Sequence, residues 1–356
     1  MTFNLAPLGK SAGFIQPTQS DVHVKGPLTN ISLAYLQSTD AFIAHRVFPV
    51  IPVTKQADSY FTYDRGDFNR DEMRERAAGT ESSGSTYGIG NDTYFARTYA
   101  HHRDVPDLIR ANQDNPLNLD REASIYVINK GLIKRERTWV AAYFTGGQAP
   151  GVTWTFVADG VASLPTAAAS FDPTNASNNN VLHWNDASST PIEDVRKAKR
   201  YVLEETGQMP NVLTLGRSVF DALVDHPDIV GRLDRGQTTG PAMANRQALA
   251  ALFEVEEILV MDAVHNTAKK NATANHAFIG GKHALLSYRP KSPGLLTPSA
   301  GYTFAWNGLM GSTDQGFRVK RFRMEHLESD RVEIQMSYDQ KKVAADLGYF
   351  FNGIVA

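Results

Sequence analysis

Residues 119–144, LDREASIYVINKGLIKRERTWVAAYF, carry an unbroken helical pattern, and few folds have room for it. Ile125, Ile128, Leu132, Trp139 and Tyr143 recur at three- to four-residue steps and their multiples, which predicts that they share one face. Arg121, Lys134, Glu136 and Arg137 fall on the other sides. Asn118 stands where a cap is needed, Asp120 and Glu122 occupy the first turn, and Gly146-Gly147 ends the run. Such a helix is about 39 Å long at 1.5 Å per residue. An ordinary globular helix has only about 11–12 residues. A rod of that length, preceded by an extended hairpin and followed by a compact α/β region, is predicted to be a spine on which other parts are hung.

The 356-residue chain is long enough for one elaborate domain or two to three ordinary ones. With 42% hydrophobic and 21% charged residues it has the make-up of a folded, soluble protein. It has no cysteine, which excludes disulfides, thiolate metal sites and cysteine nucleophiles and fits synthesis in a reducing cytoplasm. The 36 basic and 38 acidic residues leave a net charge of −2, so bulk charge does not draw in nucleic acid. No apolar run approaches the roughly 18–20 residues of a membrane span. The first residues, MTFNLAPLGKSAGF, lack the apolar core of a secretory signal, so an intracellularly made protein is expected.

Residues 1–58 are punctured by Pro7, Pro17, Pro27, Pro49 and Pro52, apart from one short helical stretch, and read as an arm crossing a surface. Ordering such an arm costs entropy with little return in a lone domain, so a neighbouring subunit is its expected bed. Residues 59–104 begin and end in aromatic, β-rich text, SYFTYDR and TYFARTYAHH, around a long polar connection. This predicts a projecting hairpin. Its mixed charges (Arg65, Arg70, Arg74 and Arg76 against Asp67, Asp71, Glu72 and Glu75) suit a wet, salt-bridged contact with another copy. Farther on, Thr190-Pro191-Ile192-Glu193 reads as a capping box opening a helix that stops at Gly207. NVLTL (211–215) and EEILVM (256–261) read as buried strands. VFDALVDH and NRQALAALF read as helices, the first begun by Ser218 and ended by Pro227, and HAFIGGKHALLSY as strand, Gly-Gly turn, strand. Near the end, Val332, Ile334, Met336 and Tyr338 alternate with polar residues, which predicts a strand with one buried face, paired with residues 316–327. The last apolar run, DLGYFFNGIV, must be buried somewhere.

No motif for chemistry survives scrutiny. His102-Arg103-Asp104 imitates the start of a kinase catalytic loop, but Ile109 stands where the asparagine belongs. Gly216-Arg217-Ser218-Val219-Phe220 lacks the second glycine of a nucleophile elbow, so Ser218 reads as an N-cap. His101 and His102 point to opposite faces of a strand and have no third ligand at a useful spacing. The acidic pairs Glu204-Glu205 and Glu256-Glu257 are mere neighbours, and GSTYGIG (84–90) lacks the lysine and spacing of a phosphate loop. No catalytic residue, metal site or cofactor is expected.

The order of parts resembles the major capsid protein of tailed double-stranded DNA bacteriophages, a fold shared with encapsulins. The text NVLTLGRSVFDALVDHPDIVGRL, then NRQALAALFEVEEILVMDA, then AFIGGKHALLSY is the most evocative. The resemblance implies an α+β capsid fold. Its parts are an N-terminal arm (1–58), an extended β-hairpin loop (59–104), a peripheral domain with the spine helix (105–184), an inserted axial α/β domain (185–300) and closing peripheral strands (301–356). It implies pentamers and hexamers of identical chains in an icosahedral shell around packaged double-stranded DNA. A portal, a separate scaffolding protein and a cementing or decoration protein are the further partners implied; no membrane is involved. The expected location is the virion capsid, after synthesis in the host cytoplasm. Arg235, Gly236, Gln237 and Thr238, carried over by position, would lie near the five- and six-fold axes. Some relatives weld their shells by lysine–asparagine bonds from the hairpin, but no lysine lies between Lys55 and Lys130, so no such bond is expected here. Competing readings are an encapsulin-like nanocompartment shell and a hydrolase with a large lid hairpin.

Overall fold

The computed structural model describes residues 36–113, 117–146, 154–164, 171–174, 179–234, 245–294, 296–310 and 316–356. The described chain begins with α1 (Ala44–Val47), β1 (Val50–Val53), β2 (Ala57–Tyr63), α2 (Arg65–Phe68), β3 (Ile89–Phe95), β4 (Arg97–Pro106) and α3 (Asp107–Ala111). The spine helix α4 follows (Leu119–Tyr143), then β5 (Phe156–Val161), β6 (Asn180–Leu182), α5 (Pro191–Thr206), β7 (Val212–Gly216), α6 (Arg217–Val224), α7 (Pro227–Asp234) and α8 (Arg246–Leu252). Next are β8 (Glu257–Met261), β9 (Val264–Asn266), β10 (His276–Phe278), β11 (Ala284–Ser287), β12 (Gly301–Trp306) and α9 (Asn307–Met310). β13 (Phe317–Met324), β14 (Ser329–Lys342) and β15 (Gly348–Asn352) close the chain.

The long strand β14 organises one sheet. It pairs antiparallel with β4 along one edge, and along the other with β13 and then β12, to which β1 adds in parallel. As its alternation predicted, Val332, Ile334, Met336 and Tyr338 are buried, and they face the N-terminal half of α4. The second sheet has the order β6-β5-β15-β11-β7-β8. One face meets α5, α6 and α8 through Ile192, Val195, Val219 and Leu249. The other meets α1 and the C-terminal half of α4 through Phe42, Phe48, Trp139 and Phe144. The spine helix therefore bridges both sheets.

That bridging decides which helix face is buried. The buried stripe is Leu119, Ala123, Val127, Gly131, Arg135, Trp139 and Tyr143, joined by Glu136 and Val140. The predicted face was partly wrong, since Ile125, Ile128 and Leu132 are only half-buried on the flanks. Small residues win the central position because the helix lies close on the sheet. A Cβ at Gly131 would sit 2.8 Å from both Ile334 Cδ1 and Met336 Sδ. Large branched side chains fit only beside that line of contact. Asn118 caps the helix by accepting from Arg121 N at 3.0 Å.

The apolar C-terminal run becomes β15, in the middle of the second sheet. Tyr349 and Phe351 enter one core and Phe350 the other, so both faces are covered and the run reads as continuously apolar. With β5 and β6 beside it, this sheet draws strands from both sides of residues 185–300. Two local readings need correction. Thr190 precedes α5, but at φ −124° and ψ 64° its side chain makes no capping bond; proline at the helix start and Gly207 at φ +71° are as expected. Gly216, not Ser218, caps α6, because a close approach of two turns forces glycine there: an added Cβ would lie 2.1 Å from Gly281 O. Residues 276–287 are strand, Gly-Gly turn, strand as expected, the turn passing the chain from β10, paired with β9, to β11 in the larger sheet.

The predicted arm also divides. From residue 36 on it is built into the body. Phe42, Ile43, Ala44, Val47 and Phe48 are buried, and β1 extends the first sheet. Gln37 imitates a strand neighbour, donating to Val264 O at 2.6 Å and accepting from Val264 N at 2.7 Å. Residues 1–35 lie outside the described residues.

Candidate inter-subunit surfaces

The β2–β3 hairpin leads into β4 and gathers several exposed apolar side chains in one element. Its register pairs Ala57 with Phe95 and Tyr63 with Ile89. At its outer end Tyr63, Phe68 and Tyr87 form an aromatic cluster with ring centroids 5.4–6.1 Å apart. Phe68 and Tyr87 remain 56% and 57% exposed, with Phe61 and Ile89 at 65% and 55% alongside. Side chains this apolar, gathered in one projecting element, mark a contact surface. Its inner end is anchored: Tyr60 and Tyr94 stack on Phe304, and Lys341 Nζ donates to Asp92 Oδ1 at 2.9 Å.

The hairpin charges divide between internal and free partners. Arg65 reaches Asp346 at 2.8 Å and Glu205 at 3.2 Å on the body of its own chain. Asp67 accepts from Gly88 N at 2.9 Å, drawing the two legs of the loop together, and Arg70 pairs with Glu72 at 3.1 Å. Arg76 donates to Thr80 O, tightening the turn. Asp71, Arg74 and Glu75 are exposed and make no ion pair among the described residues. The nearby Met73 is 92% exposed. The aromatic cluster escaped the sequence reading because Phe68 and Tyr87 lie 19 positions apart in polar text, and only the strand register unites them. Arg235, Gly236, Gln237 and Thr238 lie outside the described residues.

Groups with chemical potential are held in structural roles. Asp104 forms a two-pronged pair with Arg331, at 2.7 and 2.9 Å across β4 and β14. Ser218 Oγ donates to Gly281 O at 3.4 Å. A serine–histidine pair that no spacing announced lies buried beneath α7, with Ser189 Oγ 3.0 Å from His226 Nε2. His226 Nδ1 accepts from Asp228 N, so the ring proton is assigned to Nε2. That proton faces Ser189 Oγ and Asp186 O, while Ser189 Oγ itself donates to Asp186 O at 2.8 Å. The imidazole thus offers the serine no lone pair and cannot act as its base. Among the described residues no group of three or more metal-ligating side chains converges.

Two buried carboxylates and one ion network complete the electrostatics. Glu136 accepts from Ile43 N at 3.1 Å and Ala44 N at 2.9 Å, capping α1 from the spine helix. Burial raises its pKa to about 7 against those hydrogen bonds. Arg135, beside it, donates from Nη2 to His45 Nδ1 at 3.3 Å. Asp194 accepts from Trp184 Nε1 at 3.1 Å, and burial lifts it also to about 7. At the start of the spine, Arg110 contacts Asp107, Asp120 and Asp330 at 2.8–3.2 Å, and Arg321 binds the last two at 3.1 and 2.6 Å. This network ties α3, α4, β13 and β14 together.

Residues 157–300 match the family described as phage major capsid protein E. Over 332 residues the chain is 26% identical to the major capsid protein of Pseudomonas phage JBD67, covering 92% of this chain and 96% of that one. Its fold is similar to the crystal structure of a phage-related protein from Bordetella bronchiseptica RB50, with a TM-score of 0.63 at 21% identity over 89% of this chain and 93% of that one. It is also similar to the capsid of cyanophage P-SCSP1u, with a TM-score of 0.54 at 9% identity over 96% and 99% of the two chains. The long helix bridging two sheets, the projecting hairpin and the closing strands are thus those of the tailed-phage capsid fold, and along most of its length the chain is similar to phage major capsid proteins.

Proposed function

We propose that this chain closes, as pentamers and hexamers, into an icosahedral shell that encloses double-stranded DNA. The observation that carries this reading is the projecting hairpin, whose exposed aromatic cluster has no partner among the described residues large enough to cover it. In an assembly it lies on a second copy, with the unpaired charges of Asp71, Arg74 and Glu75 at its rim. The role is structural rather than catalytic. The shell is held without lysine–asparagine links from the hairpin, which has no amine between Lys55 and Lys130. Arg235, Gly236, Gln237 and Thr238 lie near the five- and six-fold axes in this reading. The arm, hairpin, peripheral and axial parts keep their places, except that the axial sheet also takes β5, β6 and β15. A portal, a separate scaffolding protein and a cementing protein are its partners in the virion, after synthesis in the host cytoplasm. The relatives matched along most of their length are phage capsid proteins, which favours a virion over a nanocompartment.

Replacing Phe68 and Tyr87 together by serine tests the contact. Both side chains are exposed, so the unassembled chain should lose no more than about 0.5 kcal/mol per site. The yield of sedimenting particles is expected to fall at least about tenfold, because each contact loses buried apolar area at every hairpin of the shell. Unchanged particle yield from this variant would show that the aromatic cluster is not the contact.

A further inference from the structure

The net charge of −2 conceals a one-sided distribution. On the solvent side of the spine helix, Tyr126, Lys130, Lys134 and Arg137 follow one another at three- to four-residue steps. Beside them runs β4, whose Arg97, Tyr99, His101 and Arg103 share the face turned toward the helix, since their register partners Met336, Ile334 and Val332 pack beneath α4. The two columns interlock. Arg103 Cζ lies 5.6 Å and Lys130 Nζ 5.3 Å from the centre of the Tyr126 ring, and Lys134 Nζ lies 5.0 Å from that of Tyr99. The His101 ring is 6.0 Å from Tyr126.

None of Arg97, Arg103, Lys130, Lys134 and Arg137 makes an ion pair among the described residues. Other arginines of the same region do: Arg110, Arg321, Arg323 and Arg331 each pair with aspartates. Glu122, at the head of the strip, is the one carboxylate on this helical face. The imidazole of His101 titrates below its ordinary range, through burial first and then the positive fields of Lys130 and His102. From Tyr126 to Arg137 the strip is about 17 Å long by helical rise, enough to span several phosphates.

We propose that this strip along the spine helix and β4 is a polyanion-binding face that contacts the phosphate backbone of duplex DNA. The proposal rests on the reading of the chain as a shell around double-stranded DNA and adds which side of the subunit meets it. Double-stranded DNA fits better than single strands, because the ring of Tyr126 is already engaged by two cations and is not free to stack on bases. It fits better than an acidic protein segment, because the strip presents charged and aromatic side chains, and the apolar cleft lined by Ile192, Leu203 and Phe253 lies elsewhere. Contacts of this kind are independent of sequence and release counterions, so they are erased by salt.

The test is binding of a mixed-sequence duplex of about 30 base pairs to the full-length, unassembled protein as salt is varied. Lys130→Gln with Lys134→Gln should weaken binding at low salt at least about tenfold and flatten the slope of log affinity against log salt by about two. Arg137→Gln alone should flatten it by about one. Lys55→Gln with Lys291→Gln removes two exposed lysines elsewhere and should change neither quantity. Equal losses in strip and control variants, or no DNA binding by the unaltered chain, would overturn the assignment. So would preferential binding of a polyaspartate peptide over DNA, which would make an acidic protein the occupant. Electron microscopy of the same chain, produced alone and together with a scaffolding partner, keeps the two readings apart. Particles from the unaltered chain with no strip-dependent DNA binding defeat only this proposal; absence of particles defeats the shell reading itself.

Discussion

Truncating Trp139 to alanine is expected to cost about 4 kcal/mol of unfolding free energy, while Trp139→Phe should cost about 1 kcal/mol. Trp139 is fully buried where the spine helix meets the second sheet. It packs edge-on to Phe48 at 5.5 Å, stacks on Phe144 at 5.7 Å and tilts against Tyr143 at 6.3 Å. Alanine would open a cavity among arm, helix and sheet at once, and rigid aromatic neighbours cannot collapse into it. Phenylalanine should be tolerated for a specific reason. The indole Nε1 has no hydrogen-bond partner among the described residues, so removing it strands nothing. Urea unfolding of the two variants would check this. Equal losses would mean that the indole makes a bond the geometry does not show.

Replacing Glu136 has the second large effect, and it carries a pH signature. Glu136→Ala leaves the amides of Ile43 and Ala44 unpaired in the core and Arg135 without its neighbouring anion, at a cost of about 3 kcal/mol. Glu136→Gln keeps a carbonyl acceptor but removes the titration. The folded-state pKa of about 7 lies above the ordinary 4.5, so the folded chain holds this proton more tightly than the unfolded chain does. The stabilisation is therefore complete below about pH 4.5 and is lost as pH rises through 7. Between pH 5 and 8 the wild-type advantage over Glu136→Gln should shrink by about 2.5 kcal/mol. His45 works in the opposite sense: burial and Arg135 lower its pKa to about 4, so its contribution is present above about 6.5 and lost in acid. The two slopes offset each other in the wild type, which is why the difference between variant and wild type is the quantity to measure. Parallel stability profiles for the two proteins would show that Glu136 does not titrate in this window.

What the sequence disclosed follows from how locally each feature is encoded. The cap at Asn118, the alternation from Val332 to Tyr338 and the buried strands around Leu213 and Leu259 depend on neighbours in the chain, and periodicity exposes them. The buried stripe of the spine helix was misjudged because apolar text drew attention to Ile125 and Ile128, whereas close helix–sheet contact selects Ala123 and Gly131. Glu136 reads as a surface residue until α1, 92 positions earlier, brings two amides to it. The basic strip was hidden for the same reason: Arg103 and Lys130 are unremarkable in sequence and meet only across the ring of Tyr126. Each miss depends on contacts between distant segments, about which local periodicity says nothing.

Electron microscopy of the purified full-length chain, produced alone and together with a scaffolding partner, tests the shell reading most directly. Closed particles tens of nanometres across, or isolated five- and six-membered rings, are the expected result. A monodisperse 39.2 kDa monomer under both conditions would contradict it.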